Sequence, residues 1–178
     1  MGELFEKQLS SEQIYDGKVV KLYRDTVQLQ DGKTSVREVV RHPGAVCVVP
    51  VTDKGEIIMV RQFRYPFGRV FLEIPAGKLD AGEDPRAAAM RELSEETGAE
   101  ALQLEELGIY CSTVAIFDEK IHMYLARGLK FSAPHTDEGE FLEVVHMPFH
   151  DAVEMIMDGE IQDGKTQAAV LKAWFKIR

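Results

Sequence analysis

The chain has 178 residues, of which 45% are hydrophobic and 29% charged, as in one ordinary globular domain with room for a small appendage. Its net charge of -9 at pH 7 argues against a nucleic-acid partner, because nucleic-acid grooves are basic. No apolar run approaches the roughly 20 residues that cross a bilayer, and the N-terminus lacks a signal-peptide pattern, so no membrane partner is expected. Cys47 and Cys111 lie in apolar runs, which predicts buried reduced thiols and a cytoplasmic location.

The first part of the chain is rich in β-forming side chains. They dominate residues 13–30 and again residues 34–41, and the Asp31-Gly32 pair between these runs is typical of a two-residue hairpin turn. We therefore predict a small N-terminal antiparallel β appendage over residues 1–42, ahead of a main domain over residues 43–178. Because an isolated hairpin is only marginally stable in water, the appendage must pack on the main domain or on a second chain.

The main domain opens with a nearly continuous apolar run over residues 45–51, which is typical of a strand buried on both faces. Asp53-Lys54-Gly55 then marks a turn. The apolar patterns predict further strands at residues 56–63, 70–74, 103–111, 120–129 and 141–147, and short helices around residues 152–156 and 168–175.

The stretch from Gly77 to Ala99 combines a loop with a well-marked helix. Asp84 is a suitable N-cap, and Pro85 suits the first helical position, where its missing N–H has no cost. Gly98 fits the left-handed position that commonly ends a helix. We therefore predict a helix that begins at Pro85 and ends before Gly98.

Three glutamates, Glu92, Glu95 and Glu96, are crowded into this helix. Glu92 and Glu96 lie one turn apart on one face, and like charges at that spacing destabilise an isolated helix by roughly 0.2–0.5 kcal/mol. A cation between them would remove this cost, and carboxylate oxygens are the ligands that Mg²⁺ prefers. The spacing leaves two interpretations open, a metal-binding face and a solvated acidic face.

Charged side chains outside the helix are candidate contacts for a substrate. Arg64 follows a predicted strand, and its guanidinium matches the geometry of phosphate oxygens, whereas an arginine at a strand end is equally often only solvated. Glu138 and Glu140 lie in an acidic loop. A carboxylate there could complete a metal shell or activate water, although a solvated loop is the more common outcome.

One apparent motif is rejected. Residues 159–166, GEIQDGKT, satisfy the P-loop pattern letter for letter, but that pattern requires a preceding strand within a βαβ unit. Here the stretch follows a helical segment, and Glu160 and Asp163 would oppose the phosphates. We predict a turn between two helices.

The residues from Gly77 to Gly98 also carry a family resemblance. Gly77, Glu83, Arg91-Glu92-Leu93, Glu95-Glu96 and Gly98 stand at the spacings of the Nudix box, so the chain resembles the Nudix family. The resemblance implies an enzyme that hydrolyses a nucleoside diphosphate linked to another group, with Mg²⁺ or alternatively Mn²⁺. It also implies an α/β/α sandwich with a mixed sheet, to which the N-terminal appendage is added.

Most of the remaining chain resembles the ADP-ribose pyrophosphatase branch of that family. The supporting stretches are REVVRHPGAV (37–46), RQFRYP (61–66), LEIPAGKLD (72–80), DEKIHMYLA (118–126) and GEIQDGKT with its following helix. The branch implies hydrolysis of ADP-ribose to AMP and ribose 5-phosphate. It also implies a homodimer in which the N-terminal hairpin completes the partner's site.

The resemblance further implies a metal site. The backbone carbonyl of Ala76 would hold the metal with Glu92 and Glu96, and Glu95 would lie beside them as a ligand or a supporting group. The motif residues with an implied structural role are Gly77, Glu83, Arg91 and Gly98, with Glu83 and Arg91 as an ion pair.

Substrate contacts and the base are implied in the same way. Arg37 and Arg64 would contact the diphosphate or the nucleotide, and Glu73 would contact the nucleobase. Glu138 or Glu140 would orient the attacking water.

The chain departs from the branch in two places. It has Thr113-Val114-Ala115 where the branch usually has Ser-Pro-Gly, and it lacks an aromatic residue just after Asp16-Gly17. Both differences concern specificity, so GDP-mannose or another nucleotide sugar is the leading alternative substrate. A catalytically silent nucleotide-binding module is the alternative of a different class.

Overall fold

The structure, a computed structural model, describes residues 4–132 and 141–177. The chain divides into two compact units. The first contains the residues up to Pro43 together with Cys111–Glu119, and the second contains Gly44–Tyr110 and the chain from Lys120 onward. Within the described residues, no helix combines the length and the apolar character that a membrane span requires.

The first unit is a three-stranded antiparallel sheet in the order β1-β2-β3. These strands are Lys7–Asp16, Lys21–Gln28 and Thr34–Arg41. The β-forming stretch predicted at residues 13–30 is interrupted by a turn, in which the Gly17 N–H donates to the Val20 carbonyl at 2.9 Å. Strand β1 was missed because all ten of its residues are exposed, so no alternation of apolar and polar side chains marks it.

The turn between β2 and β3 is longer than predicted. The Leu29 N–H donates to the Lys33 carbonyl at 2.8 Å, which leaves a loop of three residues, 30–32. Gly32 has a φ of 83°, in the left-handed region that a three-residue hairpin loop requires near its end. The prediction of a two-residue turn is therefore wrong, although Asp31-Gly32 correctly marks the position of the loop in the chain.

The second unit contains seven strands among its described residues. They are β4 (Ala45–Pro50), β5 (Glu56–Arg64), β6 (Arg69–Glu73), β7 (Ala76–Lys78), β8 (Ala99–Tyr110), β9 (Ile121–Phe131) and β10 (Leu142–Pro148). One sheet has the order β7-β4-β9-β8, with β4 parallel to β9 and the other pairs antiparallel. The other sheet is antiparallel and has the order β10-β5-β6. The β7-β4-β9-β8 sheet is mixed, as the family resemblance implied.

Three α-helices belong to the described part of this unit. They are α1 (Pro85–Thr97), α2 (Phe149–Met157) and α3 (Gly164–Ile177), and a short 3-10 helix covers Tyr65–Phe67. Helix α1 has the predicted bounds. The GEIQDGKT stretch supplies the connection between α2 and α3 and the first turn of α3, so it directly follows a helix rather than the strand that a P-loop requires.

Strand β4 shows how the layers are arranged. Val46 and Val48 pack in one hydrophobic cluster with Leu93 of α1. Cys47 and Val49 alternate with them and pack in a second cluster with residues of α2 and α3. Because successive side chains of a strand point to opposite faces, α1 covers one face of the sheet and α2 and α3 cover the other. The prediction of an α/β/α sandwich is confirmed.

The two cysteines differ in their surroundings. Cys47 is buried in β4, and this burial raises the pKa of its thiol to about 12. Cys111 is exposed, which corrects the expectation that both thiols are buried. It directly follows β8, which is an edge strand of its sheet, so an apolar run there does not require burial.

Candidate active site

Helix α1 begins and ends at capping residues. Asp84 accepts a hydrogen bond from the Ala87 N–H at 3.0 Å, and Pro85 occupies the first helical position. Gly98 has a φ of 69°, and its N–H donates to the Ser94 carbonyl at 2.8 Å. The caps fix the helix ends and hence the positions of its three glutamates.

Arg91 joins several of the acidic side chains. Its Nε and Nη2 donate to the two oxygens of Glu83, each at 2.9 Å. Its Nη1 donates to Glu92 at 2.8 Å and to Glu95 at 2.9 Å. Glu83 above all, and then Glu92, raise the pKa of Arg91 against the opposing effect of burial. In return, Arg91 and the Asp80 N–H lower the pKa of Glu83 to about 2.

Glu96 is directed at the backbone of β7. Its side chain is buried and accepts a hydrogen bond from the Ala76 N–H at 3.1 Å. The carbonyl of the adjacent Pro75 instead accepts from the Val48 N–H of β4 at 2.9 Å. The Lys78 carbonyl accepts from Arg91 of α1 at 3.3 Å. Since the N–H and C=O of one strand residue point to the same side, the Ala76 carbonyl is directed toward α1.

Gly77 allows the Glu92 side chain to lie against β7. A Cβ atom at this position would overlap the Glu92 carboxyl group, so a larger residue would displace that carboxylate. The Glu96 carboxylate and the Glu92 carboxylate, which is bonded to Arg91, thus both lie against the backbone of β7. Hard divalent cations prefer such oxygens, and the residues present fit a divalent metal ion.

A second group of metal-type side chains lies on α2. In the described part of the chain, His150, Asp151 and Glu154 alone bring three such ligand atoms within 4.8 Å of one another. The three glutamates of α1 are spaced more widely, and Arg91 bonds to two of them. The group on α2 is exposed, as acidic groups without a metal commonly are. The α1 glutamates, which lie against a backbone carbonyl, are the better candidate.

Arg64 and Glu73 form part of a partly buried ion network, in which Glu73 is buried and Arg64 is half-buried. Arg64 Nε and Nη2 donate to the two oxygens of Glu73, each at 2.7 Å, and Lys165 in the first turn of α3 also donates to Glu73. Lys165 further donates to Asp163 at 2.9 Å. Burial opposes ionisation of Glu73, but Arg64 and Lys165 together lower its pKa. Apart from the rejected P-loop pattern, no sequence motif marks Lys165 and Asp163 as site residues.

A cavity of about 250 Å³ lies beside this network. Its lining residues are Arg64, Pro66, Phe67, Phe71, Glu73, Asp163 and Lys165. The rings of Phe67 and Phe71 are 5.0 Å apart in an edge-to-face arrangement. Aromatic and charged walls together suit a planar polar group, which can pack on a ring and hydrogen-bond to a carboxylate.

Comparison with known families identifies the chain. The NUDIX domain model matches residues 41–172, and the model of the nucleoside diphosphate sugar hydrolase N-terminal domain matches residues 6–40. The chain belongs to the Nudix family. Members of this family generally need a divalent metal ion, which agrees with the oxygen ligands between α1 and β7.

Two relatives of this Nudix hydrolase are similar over nearly their whole length. The methanol dehydrogenase activator of Bacillus methanolicus is 48% identical over 173 residues, which are 96% of this chain and 94% of that protein. The ADP-ribose pyrophosphatase of Bacillus subtilis (strain 168) is 45% identical over 172 residues, 96% of this chain and 93% of that protein. The resemblance to the ADP-ribose pyrophosphatase branch is thereby confirmed.

A solved structure supports the fold. The crystal structure of an ADP compounds hydrolase matches with a TM-score of 0.85 and covers 99% of this chain and 97% of that one. The two sequences are 24% identical, so this match speaks for the Nudix fold alone.

Arg37, Glu138 and Glu140 are the remaining predicted site residues of this Nudix hydrolase. Arg37 belongs to the first unit, where it donates to both carboxylate oxygens of Glu6, to Oγ of Ser35 at 3.0 Å and to the Val36 carbonyl at 2.9 Å. Glu138 and Glu140 lie outside the described residues. The structure thus brings together the predicted metal residues, and separately Arg64 with Glu73.

Proposed function

We propose that this Nudix hydrolase cleaves the diphosphate bond of ADP-ribose to give AMP and ribose 5-phosphate, with Mg²⁺ as its metal. The reaction type is supported above all by the carboxylates of α1, which lie against the backbone of β7 at Ala76 and Gly77. The substrate is supported by the 45% identity to the ADP-ribose pyrophosphatase of Bacillus subtilis over almost the whole chain.

In this proposal Ala76, Glu92 and Glu96 hold the metal. When bound, Mg²⁺ would neutralise charge on the diphosphate and lower the pKa of water at the site. Arg91 orients Glu92 and Glu95 through its hydrogen bonds. The position of Arg91 is in turn set by its bidentate pair with Glu83. Glu83 therefore acts on the site through Arg91.

The substrate is bound, in the same proposal, by residues outside the metal site. The cavity between Phe71 and Glu73 takes a planar part of the substrate, with Glu73 as a hydrogen-bond acceptor and Arg64 holding that carboxylate in place. Arg37 contacts the diphosphate or the nucleotide. A glutamate of the 133–140 segment, Glu138 or Glu140, orients the attacking water.

We also propose that the enzyme is a cytoplasmic homodimer. The apolar side chains Leu9, Ile14 and Tyr15 of β1 are exposed in the first unit, which supports a protein partner for this sheet. Light scattering should give twice the chain mass, and a monomer would contradict the proposal. The free thiols support the cytoplasm, which cell fractionation can check.

The substrate is tested with a panel of ADP-ribose, GDP-mannose, other nucleotide sugars and dinucleotides, with the products separated by chromatography. We expect ADP-ribose to have the highest kcat/KM and to yield AMP, and excess EDTA to abolish turnover. Faster hydrolysis of GDP-mannose would assign the enzyme to the alternative substrate. Binding of ADP-ribose without turnover of any compound would identify a silent binding module. Full activity in EDTA would refute the metal mechanism.

A further inference from the structure

The stretch that imitates a P-loop has a different set of contacts from those a phosphate-binding loop would use. Lys165, at the position of the P-loop lysine, pairs with the carboxylates of Glu73 and Asp163. Asp163 also accepts from the Thr166 N–H at 2.9 Å and so caps the start of α3. The polar groups of this turn are thus bonded within the protein.

Thr166 connects this turn to the backbone that leads into β7. Its side chain is fully buried, and its hydroxyl donates to Asp163 at 2.6 Å. The same hydroxyl accepts a hydrogen bond from the Ile74 N–H at 3.1 Å. A valine would have almost the same shape but would leave that N–H without this acceptor.

Residues 73–76 are each bonded to another part of the second unit. The Glu73 side chain bonds to Lys165 and the Ile74 N–H to Thr166, both at the start of α3. The Pro75 carbonyl is bonded to β4 at 2.9 Å, and the Ala76 N–H is bonded to α1 at 3.1 Å. The segment crosses from one sheet to the other, where Glu73 pairs with Val60 of β5 and Ala76 with Cys47 of β4, so these bonds add to strand pairing in setting its position.

We propose that Thr166 is a positioning residue of the metal site, which it does not touch. By fixing Ile74, it sets the path of the two residues that follow and so places the Ala76 carbonyl opposite the carboxylates of α1. This inference rests on the proposed function, in which Ala76, Glu92 and Glu96 hold the metal. Groups that orient metal ligands from behind typically change metal affinity by about 10- to 100-fold when they are removed.

The test is to measure binding of Mn²⁺ alone by electron paramagnetic resonance, without substrate. We expect Thr166→Val to raise the Kd for Mn²⁺ about tenfold. Thr166→Ser keeps the hydroxyl and should stay within about twofold of the wild-type Kd. Urea unfolding of each variant shows whether it is folded under the binding conditions.

A matched control is available in the turn after β4. The Thr52 hydroxyl also accepts a backbone N–H, that of Glu56 at 3.2 Å, but at the end of β4 away from its pairing with β7. Thr52→Val makes the same chemical change there and should leave the Kd for Mn²⁺ unaltered.

Glu96→Gln separates failure of this inference from failure of the proposed function. If Glu96→Gln weakens Mn²⁺ binding while folded Thr166→Val binds like the wild type, the positioning role of Thr166 is refuted and the metal site stands. If Glu96→Gln has no effect on Mn²⁺ binding, the metal site is wrongly assigned and both proposals fail.

Discussion

Two charged networks flank the segment of residues 73–76, and they differ in charge balance. Near Ala76, the carboxylate network consists of Glu83, Glu92, Glu95 and Glu96; Arg91 forms ion pairs with the first three, and Arg64 of the second network interacts electrostatically with Glu96. Near Glu73, the balanced network consists of Arg64, Glu73, Asp163 and Lys165, with two charges of each sign. The first network therefore carries an excess of negative charge, and the second carries none.

The difference indicates different roles. Partly buried carboxylates that outnumber their cations repel one another, and this repulsion is relieved when a divalent metal binds. The balanced network has its opposing charges within the protein, so it can remain buried without an added ion. The same comparison explains why a lysine in a P-loop pattern has no Walker role here, since its charge is matched by Glu73 and Asp163.

The largest expected effect comes from a change in the carboxylate network. Glu96→Gln keeps the size of the side chain and an acceptor for the Ala76 N–H, but removes a proposed metal ligand. We expect kcat for ADP-ribose at saturating Mg²⁺ to fall by at least about 100-fold, because charge stabilisation by the metal is lost. Glu105→Gln, which removes an exposed carboxylate paired with Lys176, is the control and should retain kcat. Less than a threefold loss in Glu96→Gln would show that the charge excess has another function.

A change in the balanced network should instead affect stability. Glu73→Gln leaves two cations facing Asp163 in a buried setting, since Glu73 is only 2% exposed. Breaking a buried pair on one side typically costs about 3–5 kcal/mol, so we expect a loss near 3 kcal/mol in the free energy of urea unfolding.

The matched control for Glu73→Gln lies in the same sheet. Glu143→Gln breaks the exposed pair with Arg61 at 2.9 Å and should cost less than about 1 kcal/mol. Equal losses in the two variants would mean that burial of the Glu73 network adds nothing to stability.

The parts of the fold that local sequence determines were predictable. The bounds of α1 follow from Asp84, Pro85 and Gly98, because caps act on the adjacent backbone. The unbroken apolar run of β4 follows from its burial on both faces. Strand β1 could not be recognised, because its side chains are exposed on both faces and carry no period-two signal.

Prediction of the candidate active site from sequence has the same limit, because only local spacing can be read from it. The spacing of Glu92 and Glu96 is a property of one helix, and it indicates a possible metal-binding face without reference to any family. The contact of Thr166 with Ile74 joins residues 92 positions apart, and no local pattern predicts such a pair. The P-loop pattern includes Lys165 and Thr166 but suggests a phosphate as their partner. Their partners in the structure, Glu73, Asp163 and Ile74, are set by packing.

A smaller effect is expected at Gly77. In Gly77→Ala the new methyl group must displace the Glu92 carboxyl group, which is the end of a flexible side chain, so the fold should survive. We expect the Mg²⁺ concentration for half-maximal activity to rise about tenfold, with kcat at saturating Mg²⁺ reduced less. An unchanged Mg²⁺ requirement would show that Glu92 is not a ligand. Urea unfolding near the wild-type midpoint would exclude misfolding as the cause.

The smallest effect concerns Glu83, which is joined to the other glutamates of the carboxylate network by its ion pair with Arg91. Its pKa is about 2 in the folded protein, below the ordinary value of 4.5, so ionised Glu83 stabilises the fold. That contribution is complete above about pH 4.5 and is lost as the pH falls toward 2. The difference in unfolding free energy between the wild type and Glu83→Gln should therefore be constant from pH 7 to pH 5 and shrink at pH 4 and pH 3, as urea titrations can measure. A difference that stays constant down to pH 3 would mean that Glu83 acts by its shape rather than its charge. Because Glu92 and Glu95 still hold Arg91 in Glu83→Gln, the network keeps its negative excess, and Mg²⁺-dependent activity at pH 7 should survive.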